Sequence, residues 1–149
     1  YFYSSEEKLT IEKSFKEQIS NLKKKNKIIL VYPFPEAGWD IPKKVLNKLP
    51  KDKELINKFL VPRNYITTSF EVYKDRSKSS FELLDSIQGN NIYRVYPHKL
   101  FCDTKIKNRC LTHDNKTTFY DDSNHLSRYG SESLNNLIVD IMDQIKNEK

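Results

Sequence analysis

The sequence predicts an α/β fold built on a parallel sheet, and three observations carry that prediction. Candidate elements alternate as helix, strand, helices, strand, hairpin and helix along 149 residues. The run "IILVY" (Ile28 to Tyr32) is continuously apolar, as in a strand covered on both faces of a parallel sheet. The last segment places Leu134, Leu137, Ile138, Ile141, Met142 and Ile145 at helical intervals, giving one apolar face.

Taken in order, "EEKLTIEKSFKEQISNLKKKNK" reads as an amphipathic helix through Leu9, Phe15, Ile19 and Leu22 with its charges outward. The strand at Ile28 ends at Pro33, in a loop containing Glu36, Gly38, Trp39 and Asp40. A short helix follows over Pro42 to Leu49, with Pro42 early in it and Pro50 beyond its end. "KELINKFL" offers another turn or two. The longest helical candidate spans Asn64 to Ile87, its β-branched "YITTSF" start being the least helical part, and Gly89 in "QGNN" stops it. "IYRVYP" is the second strand. "RCLTHDNKTTFY" reads as a hairpin turning at Asp114-Asn115, and Ser127 is the expected N-cap of the last helix.

Residues 1–149 make a single domain. Two buried strands are too few for an independent parallel sheet, and the chain opens on Tyr1 without an initiator methionine. Both features predict further N-terminal strands encoded upstream. No apolar run approaches the roughly 18 residues that a membrane-spanning helix requires. The net charge of +6 is spread along the chain, and its one dense run, "KKKNK", falls where a helix ends, so it reads as a solvated terminus. Nothing in zinc-finger or RNP spacing supports nucleic-acid binding.

The chemistry concentrates in "TTFYDDSNHLSRYG", Thr117 to Gly130. An aspartate three residues before a histidine can accept a hydrogen bond from imidazole Nδ1 and leave Nε2 free as a base. Asp122 and His125 stand in that relation. Read alone, the pair is more often a helix-entry aspartate beside a surface histidine than a catalytic dyad. Asp121, one position further away, faces solvent in this reading, and Tyr120 packs beneath the loop. His98 and His113 have no partner at ligand spacing, so neither a metal nor a cofactor is expected. Trp39 either stacks on a sugar ring or covers a hydrophobic edge. Glu36 and Asp40 serve as turn and capping residues or contact substrate. Cys102 and Cys110 have seven residues between them, a spacing open to a disulfide or to two reduced, unrelated thiols.

Several stretches in order carry a resemblance. They are the lysine-rich helix running into "IILVYPFPEAGWDIPKKV", "IYRVYPHKLFCD" with a second cysteine close behind, and "FYDDSNHLSRYGSESL". Together they resemble the SGNH hydrolase-like domain that follows the membrane part of acyltransferase-3 family O-acyltransferases. The resemblance implies an SGNH-like, flavodoxin-like three-layer sandwich of which this chain is the C-terminal part. It implies His125 as catalytic base, Asp122 as its orienting acid and a Cys102–Cys110 disulfide, while Ser127 and Gly130 start the helix.

The resemblance also implies acetyl transfer to cell-surface polysaccharide, lipopolysaccharide or peptidoglycan sugars. Its partners would be an acyl donor, a carbohydrate acceptor and an upstream acyltransferase-3 membrane domain. Its location would be periplasmic or extracellular, tethered to the bacterial inner membrane. One departure is large: none of Gly38, Gly89 and Gly130 precedes an Asp-Ser, so the Gly-Asp-Ser nucleophile of that family is expected upstream. A secreted SGNH carbohydrate esterase and a catalytically degenerate carbohydrate-binding module are the rival readings.

Overall fold

The computed structural model describes residues 4–51 and 65–148. The candidate turn in "KELINKFL" lies outside the described residues. Helix α1 (Ser5–Leu22) starts in a capping box, with the Ser4 hydroxyl accepting from the Glu7 amide at 3.2 Å and the Glu7 carboxylate accepting from the Ser4 amide at 2.8 Å. Strand β1 (Ile28–Val31) follows, then α2 (Ile41–Lys48), β2 (Thr67–Ser69), α3 (Phe70–Asp85), β3 (Ile92–Val95), the single turn α4 (His98–Phe101), β4 (Arg109–Leu111) and α5 (Arg128–Asn147).

β1 and β3 pair in parallel, Ile28 opposite Ile92 and Val31 opposite Val95. On one face Leu30, Tyr32, Ile87 and Ile92 form a core completed by Phe15 and Ile19 of α1 and by Phe81 and Leu84 of α3. On the other face Tyr93 donates to Glu148, just past α5, and Lys27 donates to the Ile145 carbonyl at 3.0 Å. Helices therefore stand on both faces of a parallel pair, but β1 falls short of the two-sided burial its apolar run predicted: Leu30 is buried while Val31 is 42% exposed.

The apolar faces of the outer helices are only partly used. Leu9 and Leu22 are 67% and 51% exposed, and Met142 is 45% exposed, so these three stand outside the packed faces expected for them. Length explains this. A strand of four residues spans about 13 Å, whereas helices of 18 and 20 residues span about 27 and 30 Å. Most of each helix has no strand beneath it.

The helix expected from Asn64 begins six residues later. Ile66, Thr67 and Thr68 are β-branched and suit a pleated strand. Thr67–Ser69 accordingly pairs antiparallel with β4, and Ser69 caps α3 through its hydroxyl, which accepts from the Val72 amide at 3.3 Å. The expected hairpin is corrected in the same way. Its turn forms where Asp114 Oδ1 accepts from the Lys116 and Thr117 amides at 2.7 and 2.8 Å, but between its arms His113 and Thr118 make only one isolated bridge. The first arm gives its ladder to β2 instead.

Cys102 and Cys110 form a disulfide joining the end of α4 to β4. The turn between them places Asp103 and Asn108 at φ of 56° and 59°, a left-handed conformation that aspartate and asparagine tolerate. The bridge lies in a second core with Ala37, Ile41, Ile66, Phe101, Leu111, Phe119 and Tyr120. This core underlies the Thr117 to Gly130 segment. Closing so short a loop is worth about 2.5 kcal/mol on the chain-entropy account. A Cys102→Ser/Cys110→Ser double variant is therefore expected to unfold at lower denaturant with an unchanged m-value; an unchanged midpoint would show the bridge to be energetically idle.

His98 sits among Phe70, Tyr73, Phe81 and Tyr96 with ring centroids 5.7 to 5.9 Å away. Its buried Nδ1 has no partner among the described residues, and burial pushes its pKa down, so the ring is held neutral there. No described helix is long and apolar enough to cross a membrane.

Candidate active site

The segment after the hairpin is anchored before it reaches the histidine. Tyr120 is 1% exposed and donates its hydroxyl to the Pro35 carbonyl, which ties the loop to the proline turn after β1. Tyr120 bridges to Leu126, and the Asp121 amide donates to the His125 carbonyl at 3.0 Å, folding the intervening residues into a tight loop. Tyr120 thus packs beneath the loop and Asp121 is exposed, both as expected.

Asp122 then divides its two oxygens. Oδ1 accepts from the Asn124 and His125 amides, each at 2.8 Å, and so shapes the backbone. Oδ2 accepts from His125 Nδ1 at 2.7 Å. Because a carboxylate only accepts, the proton of a neutral ring sits on Nδ1 and Nε2 carries the free lone pair. The Asn124 amide, then the His125 ring, hold the Asp122 carboxyl down at about 2. The Asp122 carboxylate raises His125 above its ordinary 6.5. The His125 and Asp122 side chains are 74% and 48% exposed, so the ring projects from the surface and is open to a reactant.

Protonated His125 is favoured in the folded chain, so its salt bridge contributes fully below 6.5 and fades as pH rises through the raised folded value. Proton NMR of the ring is expected to show a midpoint above 6.5, returning towards 6.5 in Asp122→Asn. Equal midpoints in the two proteins would mean that the 2.7 Å contact does not persist in solution.

Ser127 and Gly130 do more than start α5. The Ser127 amide donates to the Phe119 carbonyl at 2.9 Å, its hydroxyl donates to the Thr118 carbonyl at 2.7 Å, and that hydroxyl also accepts from the Gly130 amide at 3.2 Å. A Cβ on Gly130 would stand 2.3 Å from the Phe119 carbonyl oxygen. The helix entry is therefore pressed against the strand-like segment below the loop, at a closeness that only glycine allows.

The remaining candidates divide. Asp40 caps α2, accepting from the Lys43 amide at 2.9 Å. His113 is 3% exposed with both nitrogens committed, Nε2 accepting from the Ile66 amide at 3.0 Å and Nδ1 facing the Asp114 carbonyl at 2.7 Å, so it is a core residue. Glu36 pairs with Arg76 at 3.1 Å. Trp39 is 38% exposed, carries the Lys44 ammonium 4.4 Å from its ring centroid, and lines a cleft of about 520 Å³. The loop holding Trp39 is bonded to the histidine loop, since the Gly38 amide donates to the Ser123 carbonyl at 2.8 Å and the Ile41 amide to the Asp122 carbonyl at 3.4 Å. Gly38 makes that turn at φ of +78°. Sequence reasoning missed Arg76 and Arg109 on the cleft wall, because no local spacing links them to each other or to Trp39.

A family model described as "SGNH domain (fused to AT3 domains)" matches residues 2–140. The chain belongs to this SGNH family. No curated protein and no solved structure matches it. The fusion recorded in the family's description associates this SGNH domain with an acyltransferase-3 domain in its parent protein. It thereby supports an SGNH-type acyltransferase domain. The described part of the SGNH domain supplies the parallel pair, the buried disulfide and an Asp–His pair at hydrogen-bonding distance.

Proposed function

We propose that this domain contributes the base and orienting acid of an O-acyltransferase acting on sugars of cell-surface polysaccharide or peptidoglycan. The observation that carries the reading is the 2.7 Å contact between Asp122 Oδ2 and His125 Nδ1, with the ring open to solvent. In this mechanism a serine from outside these 149 residues gives its proton to His125 Nε2 as its oxygen attacks the acyl carbonyl. The imidazolium, stabilised by Asp122, returns that proton to the departing donor. The cycle then repeats with a sugar hydroxyl: Nε2 takes its proton, the sugar oxygen attacks the acyl-serine, and the proton goes back to serine.

Two features support the wider setting. A buried disulfide fits an oxidising compartment, hence the periplasm or cell exterior. In addition, the Ile28 and Tyr32 amides bond towards β3 at 2.8 and 3.0 Å, which turns the peptide groups of Ile29 and Val31 to the opposite edge of β1. That edge suits the next strand of a flavodoxin-like three-layer sandwich supplied by further sequence of the same domain.

The test compares this chain with the protein that includes its acyltransferase-3 domain. The chain alone is expected to show negligible turnover of an aryl acetate, and the longer protein to transfer acetyl to a sugar hydroxyl. Turnover by the chain alone that vanishes in His125→Ala would overturn the external nucleophile. Release of acetate without transfer would favour a secreted-type esterase, and sugar binding without either reaction a degenerate binding module.

A further inference from the structure

We propose that the cleft beside Trp39 is the acceptor subsite of the reaction and that it selects a sugar bearing a carboxylate. This rests on the acyltransferase reading and specifies its substrate. The cleft, about 520 Å³, is walled by the Glu36 to Trp39 turn on one side and by α3 and β4 on the other. Its turn is hydrogen-bonded to Ser123, two residues before His125, so one wall of the cleft is fastened to the loop that carries the base.

The charges in the cleft favour an anion. Arg109 is half-buried, and its Nε and Nη2 donate to Thr67 Oγ1 and the Thr67 carbonyl at 2.9 and 2.7 Å. These neutral partners aim the guanidinium without cancelling its charge, and no carboxylate pairs with it among the described residues. Arg76 adds a second positive charge, paired with Glu36 at 3.1 Å. Both partners are largely exposed, so their pairing is weak and a ligand carboxylate can compete for Arg76. Two arginines stand against one glutamate along the wall, and the Lys44 ammonium lies over the Trp39 ring, so the cleft is net positive and suits an anion. Ser77 and Ser80 of α3 add hydroxyls along the same wall, and Trp39 offers an aromatic surface to a sugar ring. A uronic acid combines the required parts, a carboxylate for the arginines, ring hydroxyls for the serines and a free hydroxyl to be acylated.

Trp39 is the single tryptophan of the chain, so its emission reports the cleft directly. Titration with trigalacturonate is expected to change that emission saturably, with affinity falling as salt rises. The fully methyl-esterified trisaccharide, which keeps the skeleton and loses the charge, is expected to bind about tenfold more weakly or worse. Arg109→Gln is expected to cost a similar factor, and Arg109→Lys to recover part of it. Exposed Arg76→Gln gives an independent arm should Arg109→Gln disturb the β2–β4 pairing. Equal binding of acid and ester, no emission change with either, or tighter binding of glucose 6-phosphate than of the uronate would each overturn the subsite. His125→Ala is expected to abolish transfer by the longer protein while leaving trigalacturonate binding intact. Transfer that depends on His125 without uronate binding would sink this subsite and spare the acyltransferase.

Discussion

His125→Ala in the longer, acyltransferase-3-linked protein is expected to lower acetyl transfer by about 10³-fold or more, with the melting temperature nearly unchanged. The size follows from the role proposed for His125: in that mechanism no other group takes the proton from serine or from the sugar hydroxyl. The unchanged stability follows from exposure, because the His125 side chain is 74% open and fills no core. Asp122→Asn is the more discriminating variant. Its amide oxygen can replace Oδ1 as acceptor of the Asn124 and His125 amides, which keeps the loop. Its amide nitrogen would then face Nδ1 as a donor, which moves the ring proton to Nε2 and removes the lone pair the reaction needs. A loss of about 10³- to 10⁴-fold is expected despite an intact fold. Transfer within threefold of wild type in Asp122→Asn would end the dyad interpretation.

Gly130→Ala is expected to destabilise the domain, against the ordinary rule for helices. Inside a helix this exchange typically gains up to about 1 kcal/mol. Here the added methyl would meet the Phe119 carbonyl oxygen at 2.3 Å, and a backbone oxygen cannot swing aside as a flexible side chain would. Overpacking costs about 1–3 kcal/mol, and so close a backbone contact belongs at the upper end or beyond. The net expectation is a loss of about 2 kcal/mol, or about 6 °C in Tm for a domain of this size. Activity of the longer protein should fall as well. Relieving the clash moves Phe119 away from Ser127, and Phe119 leads through Tyr120 into the histidine loop. A raised Tm in Gly130→Ala would show that the contact relaxes freely.

The legible parts of this protein were those decided by short-range chain geometry. Asp40 and Ser127 were readable as caps because a cap needs only a suitable oxygen two or three residues before an amide, and both act so here. Asp122 could reach His125 for the same reason, three residues being the span of one turn. The cysteine spacing permitted closure of a short loop, and the resemblance rather than the spacing pointed to the bridge. Errors arose where a distant segment set the outcome. "YITTSF" was absorbed into a helix because its strand partner, β4, lies about forty residues on: Arg109 bonds to Thr67 across 42 positions. Leu9, Leu22 and Met142 carry the apolar pattern of buried residues, yet a helical period tells which face is apolar and not how much surface is there to cover it.

By itself, then, the sequence determined the α/β class, the Ser127 cap and an aspartate within reach of a histidine, and it allowed the cysteine bridge without requiring it. Tertiary structure alone decided that Gly130 must have no side chain, that β2 pairs with β4, and that Arg76, Arg109 and Trp39 face one cleft. The physical reason is a difference of range. Hydrogen bonds between near neighbours follow from backbone geometry, whereas the approach of separate segments follows from how two hydrophobic cores pack, and no single stretch of chain contains that information.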